Sequence, residues 1–273
     1  IRDDKGLPEG ARLADGELIA EQVVAIIGHI TSEQTAAALE QINRSEVVLL
    51  SPTSSSSMFT GMADYLFRVM PGNDRMAASL AHHIYTTRDL RQALVIYDLA
   101  NRSFSETWWQ HFQQEFQALG GDCTGMSFTS GETDLKQLVA SLSDSQPEAV
   151  VLIASAVDTA VMMQYAQQAG VEAQFFASSW AQTTELLEKG GQVVNGLEMS
   201  TTYDPNAASA AFTQFKQDYQ ARYGSAPALG ASHAYEAVLV LAAALEATGG
   251  KAEGLPEALQ AIEDFPGLQG EIT

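Results

Sequence analysis

The stretch VVAIIGHITSEQTAAA, residues 23–38, contains a change of secondary structure within a few residues. Residues 23–28 are apolar or small, as in a buried strand, and an alanine-rich segment with helical spacing begins at Ser32. Gly28, Thr31 and Ser32 lie at the transition. The first N–H groups of a helix have no partner within it, and here they lie beside side-chain hydroxyls. This corner is therefore suited to binding an anion.

The same alternation continues along the chain. Short apolar runs, the candidate strands, fall at 23–28, 46–51, 65–70, 92–98, 122–128, 149–155, 173–178 and 194–200. Segments with helical spacing fall at 10–21, 32–44, 74–88, 103–119, 132–144, 157–169 and 182–188. Nearly continuous apolar strands that alternate with helices are typical of a parallel sheet covered on both faces. The pattern predicts an α/β fold with doubly wound parallel sheets.

The pattern changes after Tyr203. Residues 203–224 predict a long amphipathic helix, residues 228–250 predict a second one, and a short third helix is expected at 255–264. Because three successive helices do not continue a strand–helix series, we expect this segment to pack onto an earlier part of the chain.

Composition restricts the class of protein. The 273 residues are enough for two domains. A formal charge of −20 disfavours binding to nucleic acid, and we expect none. We find no apolar run that approaches the roughly 20 residues of a membrane span. The chain begins IRDDKGLPEG, which has neither the basic region nor the apolar region of a signal peptide.

The sequence shows no catalytic or metal-binding motif. It lacks a GxSxG elbow, an HExxH motif, an EF-hand loop, a CxxC pair and a GxGxxG loop after a strand. Cys123, the single cysteine, starts a candidate strand and is interpreted as a small core residue. Adjacent His82 and His83 would point about 100° apart on a helix, which disfavours a shared metal ion. We expect no cofactor, no metal ion and no catalytic residue.

Hydroxyl groups instead cluster where two candidate strands end. Thr31 and Ser32 follow the first strand, and the segment SPTSSSS, residues 51–57, follows the second. Ligands of doubly wound sheets bind beyond the carboxyl ends of the strands, where such loops converge. Hydroxyls and helix-start N–H groups could hold a carboxylate there. The alternative is that Ser32 belongs only to a helix cap and the serine run is a plain turn.

A resemblance to a known family rests on nine segments in order. They are AIIGHITSEQTAAA, VVLLSPTSSS, YLFRVMPGND, LVIYDLANRSFSE, VVLIASAVDTAVMMQYAQQAG, FASSWAQT, NGLEMSTTYDPN, AYEAVLVLAAAL and GLQG. The chain resembles, over nearly its whole length, the type I periplasmic solute-binding proteins of branched-chain amino acid ABC transporters. The resemblance implies two α/β lobes joined by a hinge of crossover segments, with a ligand enclosed when the hinge closes.

The resemblance also implies where the lobes begin and end. Residues 1–70 and 202–267 would form a discontinuous N-terminal lobe, residues 71–201 the C-terminal lobe, and residues 268–273 the start of a third crossover. Members of the family begin with a strand and a helix that would precede IRDDKG, and the strand is central in the sheet. We therefore expect the sequence to be part of a longer chain.

Site residues follow from the same resemblance. In the N-terminal lobe, Ser32 and Ser55 would bind a ligand carboxylate through their hydroxyls, Ser54 would bind it through its N–H, and Thr53 would bind an ammonium group through its backbone. In the C-terminal lobe the implied ligand contacts are Phe104, at an aromatic lid position, and Ser155, Ala156, Ser179 and Trp180.

One position departs from the family pattern. Where leucine-type members have a glutamate that pairs with the ligand ammonium, this chain has Ser179. Because a buried ammonium needs a carboxylate, either Asp98 or Asp158 takes that role or the ligand is not an α-amino acid. Trp180 would suit an aromatic or aliphatic organic acid, although it could equally pack between helices. Asp158 could also serve simply as an acidic residue in the first turn of a helix.

We therefore expect a non-enzymatic, periplasmic or extracellular protein that binds a small amino acid or related organic acid and delivers it to the membrane permease of an ABC transporter. The alternative is a ligand-sensing domain of a receptor or regulator with the same fold. A hydrolase or transferase would need a base beside the serines, and His29 is the only histidine near them in sequence. The sequence identifies neither the solute nor the oligomeric state.

Overall fold

A computed structural model describes residues 1–272, with only the backbone described at residues 143 and 144. The strands are β1 Ala25–Ile27, β2 Val48–Ser51, β3 Leu66–Arg68, β4 Gln92–Asp98, β5 Asp122–Phe128, β6 Ala149–Ile153, β7 Gln174–Ala177, β8 Glu198–Met199, β9 Phe265–Pro266 and β10 Glu271–Ile272. The α-helices are α1 Pro8–Ala20, α2 Ser32–Ser45, α3 Asn73–His82, α4 Arg102–Ala118, α5 Leu135–Ala140, α6 Leu142–Ser145, α7 Ala156–Ala169, α8 Thr184–Gly190, α9 Ala210–Tyr223, α10 Leu229–Thr248 and α11 Leu255–Gln260.

The chain forms two compact units. Unit 1 consists of Ile1–Ser55, Phe59–Pro71 and the residues from Tyr203 onward. Unit 2 consists of Ser56–Met58 and Gly72–Thr202. The serine run is thus divided, with Ser54 and Ser55 in unit 1 and Ser56 and Ser57 in unit 2. Of the predicted third crossover, 268–273, the last residue lies outside the described part of the chain.

Unit 1 contains a parallel sheet with the strand order β1-β2-β3. All four residues of β2 are buried, because successive side chains point to opposite, covered faces. Leu49 packs with Ala38 and Ile42 of α2 on one face. Val48 and Leu50 pack on the other face with residues of α10 and α11, among them Ala237, Val240, Leu241 and Leu255.

Unit 2 contains a five-stranded parallel sheet with the order β5-β4-β6-β7-β8. Its central strand β6 is entirely buried. Val150 and Leu152 pack with α7, and Val151 and Ile153 pack on the opposite face in a cluster with α3 and α4. The predicted α/β class with parallel sheets is confirmed, since the strands of these two sheets are parallel and helices pack on both faces of each.

All eight candidate strands form, and so do the predicted helices, with three differences. The segment 74–88 is α-helical only to His82 and continues as a π-helical turn over His83–Thr87. The segment 132–144 forms two short helices, α5 and α6. The helix after Tyr203 begins only at Ala210, where the Ser209 hydroxyl accepts a hydrogen bond from the N–H of Phe212. An antiparallel pair, β9 and β10, completes the described elements of unit 1.

Helix α10 corrects the expectation that no apolar run approaches a membrane span. By length and composition, Leu229–Thr248 is apolar enough to cross a membrane, because alanine, leucine and valine dominate its 20 residues. One of its faces packs on β2, as the three-helix pattern predicts, and it carries the buried pair His233 and Glu236. One face of the helix therefore belongs to the core of unit 1.

Candidate functional site

The carboxyl end of β1 in unit 1 leads into a tightly capped helix. Thr31 is the N-cap of α2: its hydroxyl accepts a hydrogen bond from the N–H of Gln34, and its own N–H donates to the Gln34 side chain. This reciprocal capping box satisfies two backbone N–H groups that would otherwise lack partners at the start of the helix. Ser32, the first helical residue, is buried.

The loop after β2 is hydrogen-bonded to this corner. The hydroxyl of Ser51 donates to the carbonyl oxygen of His29 at 2.8 Å, and that of Thr53 donates to the carbonyl oxygen of Ile30 at 2.6 Å. The hydroxyl of Ser54 lies 2.5 Å from that of Thr35 in α2. The two loops that the sequence singled out therefore lie side by side at the carboxyl edge of the unit 1 sheet.

This arrangement brings together the four residues predicted from unit 1. Ser32, Ser54 and Ser55 are buried, and Thr53 is half-buried. The N–H of Ser54 donates to the Ser51 hydroxyl at 3.0 Å. A ligand role for Ser32, Thr53, Ser54 and Ser55 remains a prediction.

His29 links this corner to two acidic residues that the sequence did not single out. Its Nδ1 lies 3.0 Å from Oδ2 of Asp4, and its Nε2 lies 3.1 Å from Oδ2 of Asp15. His29 and Asp15 are both buried. Positions 4, 15 and 29 share no periodicity, and no motif marked them. His29 is therefore a buried loop residue whose ring contacts two acidic side chains.

The carboxyl edge of the unit 2 sheet carries a second polar cluster. Oδ1 of the buried Asp98 accepts hydrogen bonds from the N–H groups of Ala100 and Ser130, at 2.9 and 3.0 Å. Oδ2 of Asp158 accepts bonds from the hydroxyls of Ser155 and Ser130, both at 2.8 Å. Burial, together with the nearby charge of Asp158, raises the pKa of Asp98 even though the two N–H groups oppose the shift.

Both acids considered as ammonium partners therefore already have partners within unit 2. Asp158 lies in the first turn of α7, where its N–H donates to the Ser155 hydroxyl, in agreement with the helix-start interpretation. Ser155 is the N-cap of α7 and Ala156 is its first residue. The sequence analysis did not single out Ser130. It lies two residues beyond the end of β5, just as Ser155 lies two residues beyond the end of β6, so both are at the same edge of the sheet.

The aromatic residues predicted in unit 2 contact one another. Phe104, in the first turn of α4, is buried, and its ring meets that of Trp180 edge to face with centroids 5.9 Å apart. Trp180 is half-buried against the core cluster that contains Phe104. Ser179 is buried, with its hydroxyl 3.6 Å from the sulfur of Met76. Trp180 thus packs against helix α4, and any ligand contact by these residues remains a prediction.

Cys123, His82 and His83 are the remaining residues that were considered for reactivity or metal binding, and each is buried or contacts another side chain. Cys123 is buried at the second residue of β5, and burial, with the charge of Asp122, raises the pKa of its thiol to about 11. His82 and His83 contact different glutamates, Glu115 and Glu198. Among the side chains that the structure describes, no group of three or more His, Cys, Asp or Glu is arranged to hold a metal ion.

Comparisons with solved structures give the same architecture. The chain is similar to the leucine binding protein LivK of Thermotoga maritima, with 26% identity, a TM-score of 0.92, and coverage of 98% of this chain and 77% of that one. It is similar to the branched-chain amino acid transporter substrate binding protein LivJ of Streptococcus pneumoniae, solved in complex with isoleucine, with 20% identity, a TM-score of 0.87, and coverage of 99% and 77%. A solute binding protein of an ABC transporter from R. palustris, in complex with benzoate, gives 18% identity, a TM-score of 0.87, and coverage of 98% and 75%.

Sequence comparison agrees with these structures. An amino acid binding protein of Pseudomonas aeruginosa is 22% identical over 209 residues, which are 74% of this chain and 55% of that protein. The chain thus spans about half the length of this curated relative. The family model described as periplasmic binding protein matches residues 1–273. The family consists of binding proteins, so the prediction of a non-enzymatic protein and the resemblance to branched-chain amino acid binding proteins are confirmed. The chain belongs to the periplasmic binding protein family.

Proposed function

We propose that this chain is the ligand-binding part of an extracytoplasmic solute-binding protein for a small carboxylate-bearing solute, an amino acid or a related organic acid. The proposal includes delivery of the solute to the membrane permease of an ABC transporter. The observation that carries it is the carboxyl edge of the unit 1 sheet. Ser32 begins α2 there, Thr53 and Ser55 lie in the loop after β2, and the contact between Ser54 and Thr35 joins this loop to α2. Hydroxyls beside a helix N-terminus stabilise a carboxylate without a cationic side chain.

The class of solute follows from charge as well as geometry. Ser179 brings no negative charge to unit 2, and Asp98 and Asp158 are engaged with protein donors. The named relatives include proteins for leucine, for isoleucine and for benzoate, so both α-amino acids and aromatic acids are represented among similar folds. We propose that the carboxylate is the shared recognition element and that the ammonium group is dispensable for this chain.

A thermal-shift screen tests the binding function. The compounds screened include two pairs of acids that differ only by an α-ammonium group: L-phenylalanine with 3-phenylpropanoate, and L-leucine with 4-methylpentanoate. L-Isoleucine and benzoate are also screened. A ligand that binds only the folded protein stabilises it by about 2.7 kcal/mol at 100 times its Kd, so a true ligand raises Tm with concentration. Stabilisation by the acids without ammonium supports the proposal, and stabilisation only by amino acids would contradict the dispensable ammonium. No shift with any carboxylate would contradict the binding function proposed here.

Calorimetry on variants tests the site. The double substitution Ser32→Ala with Ser55→Ala should weaken binding of the best acid at least tenfold while leaving the circular dichroism spectrum unchanged. Ser45→Ala is the matched control, because Ser45 lies at the opposite end of α2 and its hydroxyl bonds only to helix carbonyls in the structure. Equal affinity of the double variant and the control would remove the carboxylate role of the two serines.

A further inference from the structure

The side chain of His29 connects three parts of unit 1. Its ring nitrogens face Asp4, from the N-terminal segment, and Asp15, from α1, each at hydrogen-bond distance. Two ionised carboxylates accept hydrogen bonds but do not donate them, so both contacts are hydrogen bonds when both ring nitrogens carry protons. The charged imidazolium is therefore the form of the ring that donates one hydrogen bond to each carboxylate.

The backbone of His29 connects the same ring to the proposed ligand loops. Its carbonyl oxygen accepts the Ser51 hydroxyl at 2.8 Å, and the Ser54 hydroxyl lies 3.4 Å from it. Ser51 in turn accepts the N–H of Ser54. Two residues further on, Thr31 caps the helix that begins with Ser32. The His29 backbone is thus hydrogen-bonded to the loop after β2 and lies two residues before the N-cap of α2.

The other charges near the ring are few. A cavity of about 240 Å³ next to His29 is lined by Asp4, Asp15 and Arg2, together with apolar residues of α1, β1, α10 and the loop after β2. Arg2 is paired with Glu17 and Glu21. From α10 and from the loop after β2 the residues that line this cavity are Ala234 and Pro52, which carry no charge. Asp4 and Asp15 are therefore the charges in direct contact with the ring.

We propose that His29 is a positioning residue of the unit 1 site: its ring, held by Asp4 and Asp15, fixes the carbonyl on which Ser51 and Ser54 align the second ligand loop. This inference rests on the proposed function and extends it to a pH dependence. Ligand affinity is highest while the imidazolium persists, and it declines when the ring loses a proton and one of the two acid contacts loses its donor.

The direction of the titration agrees with this geometry. Burial lowers the pKa of His29, but the hydrogen bonds and charges of Asp15 and Asp4 outweigh it, so the pKa lies above the ordinary 6.5. A raised histidine pKa gives stabilisation that is complete below pH 6.5 and is lost as the pH rises through the raised value. For Asp4, burial opposes ionisation, yet the Gly6 N–H and His29 lower its pKa, so its contribution is present above 3.8 and is lost as the pH falls through the lowered value.

Ligand binding across pH provides the first test. With benzoate or L-leucine as the probe, whichever shifts Tm in the screen, we expect Kd to increase at least fivefold as the pH rises through the His29 titration. Asp15→Asn should move the inflection to lower pH, since the ring keeps only Asp4. His29→Gln should remove the inflection. His82→Gln is the control, because His82 also contacts an acid but lies in unit 2, and it should leave the inflection unchanged. A Kd profile that is identical in wild type and Asp15→Asn overturns the proposal.

A second test needs no ligand. In the unliganded protein, the His29 ring should titrate above pH 6.5 by NMR, and the Ser54 amide should exchange with solvent at least tenfold faster in His29→Gln than in wild type. Asp4→Asn, at the less buried of the two acids, provides the same comparison if His29→Gln fails to fold. Titration at or below 6.5, or unchanged Ser54 exchange, overturns the positioning role. Because these readouts do not involve a solute, they distinguish failure of this inference from failure of the proposed function.

Discussion

The hydroxyl oxygens of Thr35 in α2 and Ser54 in the loop after β2 lie 2.5 Å apart, and both side chains are almost completely buried. Both hydroxyls also lie within hydrogen-bond distance of the carbonyl oxygen of Thr31, at 3.1 and 3.2 Å. A helix and a loop that are distant in sequence are thereby joined at the N-cap of α2.

The first prediction concerns that pair. Ser54→Ala and Thr35→Val each remove one hydroxyl, and each should lower the free energy of unfolding by about 1 kcal/mol, because the remaining hydroxyl keeps the Thr31 carbonyl as a partner. The double variant should lose less than the sum, with a coupling of about 1 kcal/mol in a double-mutant cycle by urea denaturation. Additive losses would show that the two hydroxyls do not interact.

Two helical glycines should respond in opposite ways to the same substitution. A Cβ at Gly10 in α1 would lie 1.9 Å from the backbone oxygen of Asp4, whereas a Cβ at Gly230 in α10 would have no neighbour within 4 Å. Gly10→Ala should therefore destabilise by about 1–3 kcal/mol, since the segment that carries Asp4 must move. Gly230→Ala should be neutral or stabilise by up to about 1 kcal/mol. Thermal and urea unfolding measure both, and a tolerated Gly10→Ala would contradict the close packing of Asp4 on α1.

Asp98 should affect stability in a pH-dependent way. Its raised pKa means that the fold favours the protonated carboxyl, so the contribution of Asp98 to stability decreases as the pH rises from 3.8 through the raised value. Asp98→Asn keeps an oxygen for the N–H groups of Ala100 and Ser130 and removes the repulsion from Asp158. It should be as stable as wild type or more stable at pH 7, with the advantage lost at pH 3.5.

Asp98→Ala is the matched comparison for that variant. It leaves two N–H groups without their acceptor and should destabilise by about 1–3 kcal/mol at every pH. Urea denaturation at pH 3.5, 5 and 7 gives the comparison. If Asp98→Asn and Asp98→Ala were equally destabilised at pH 7, the acceptor role of Oδ1 would be wrong.

Cys123 should be nearly inert in the folded protein. With a thiol pKa of about 11, about one thousandth of the thiol is ionised at pH 8, compared with about a tenth at the ordinary pKa of 9.0. Alkylation by iodoacetamide at pH 8 should therefore be at least about 100-fold slower in buffer than in urea, and burial slows it further. Mass spectrometry monitors the reaction, and rapid modification of the folded protein would contradict the buried position of Cys123.

The sequence was a good guide to elements with a long, simple pattern. The clearest signals came from β2 and β6, which are apolar runs because burial on both faces leaves little room for polar residues. The two-residue strands β9 and β10 gave no such signal, since Pro266 and Glu271 are not typical strand residues. The π-helical turn after His82 was also missed, because helical spacing does not distinguish it from a regular helix.

The candidate site was predictable only in part. Strand ends of one sheet meet at one edge, so the clustering of the Thr31 and Ser54 loops followed from the order of elements. The pairing of Ser54 with Thr35, and of the Ser54 N–H with Ser51, depends on loop geometry that no spacing rule describes. The contacts of His29 with Asp4 and Asp15 join three separate segments, and charge patterning along the sequence contains no trace of them.

The division of unit 1 into separate segments has a consequence for biosynthesis. Val48 and Leu50 emerge from the ribosome early, but Ala237 and Val240, which cover them, follow almost two hundred residues later, after the whole of unit 2. Unit 2 is continuous apart from residues 56–58 and can fold while unit 1 still lacks α10. One apolar face of the β1-β2-β3 sheet stays uncovered until α10 and α11 pack on it, so the core of unit 1 can be completed only once the chain beyond unit 2 is available.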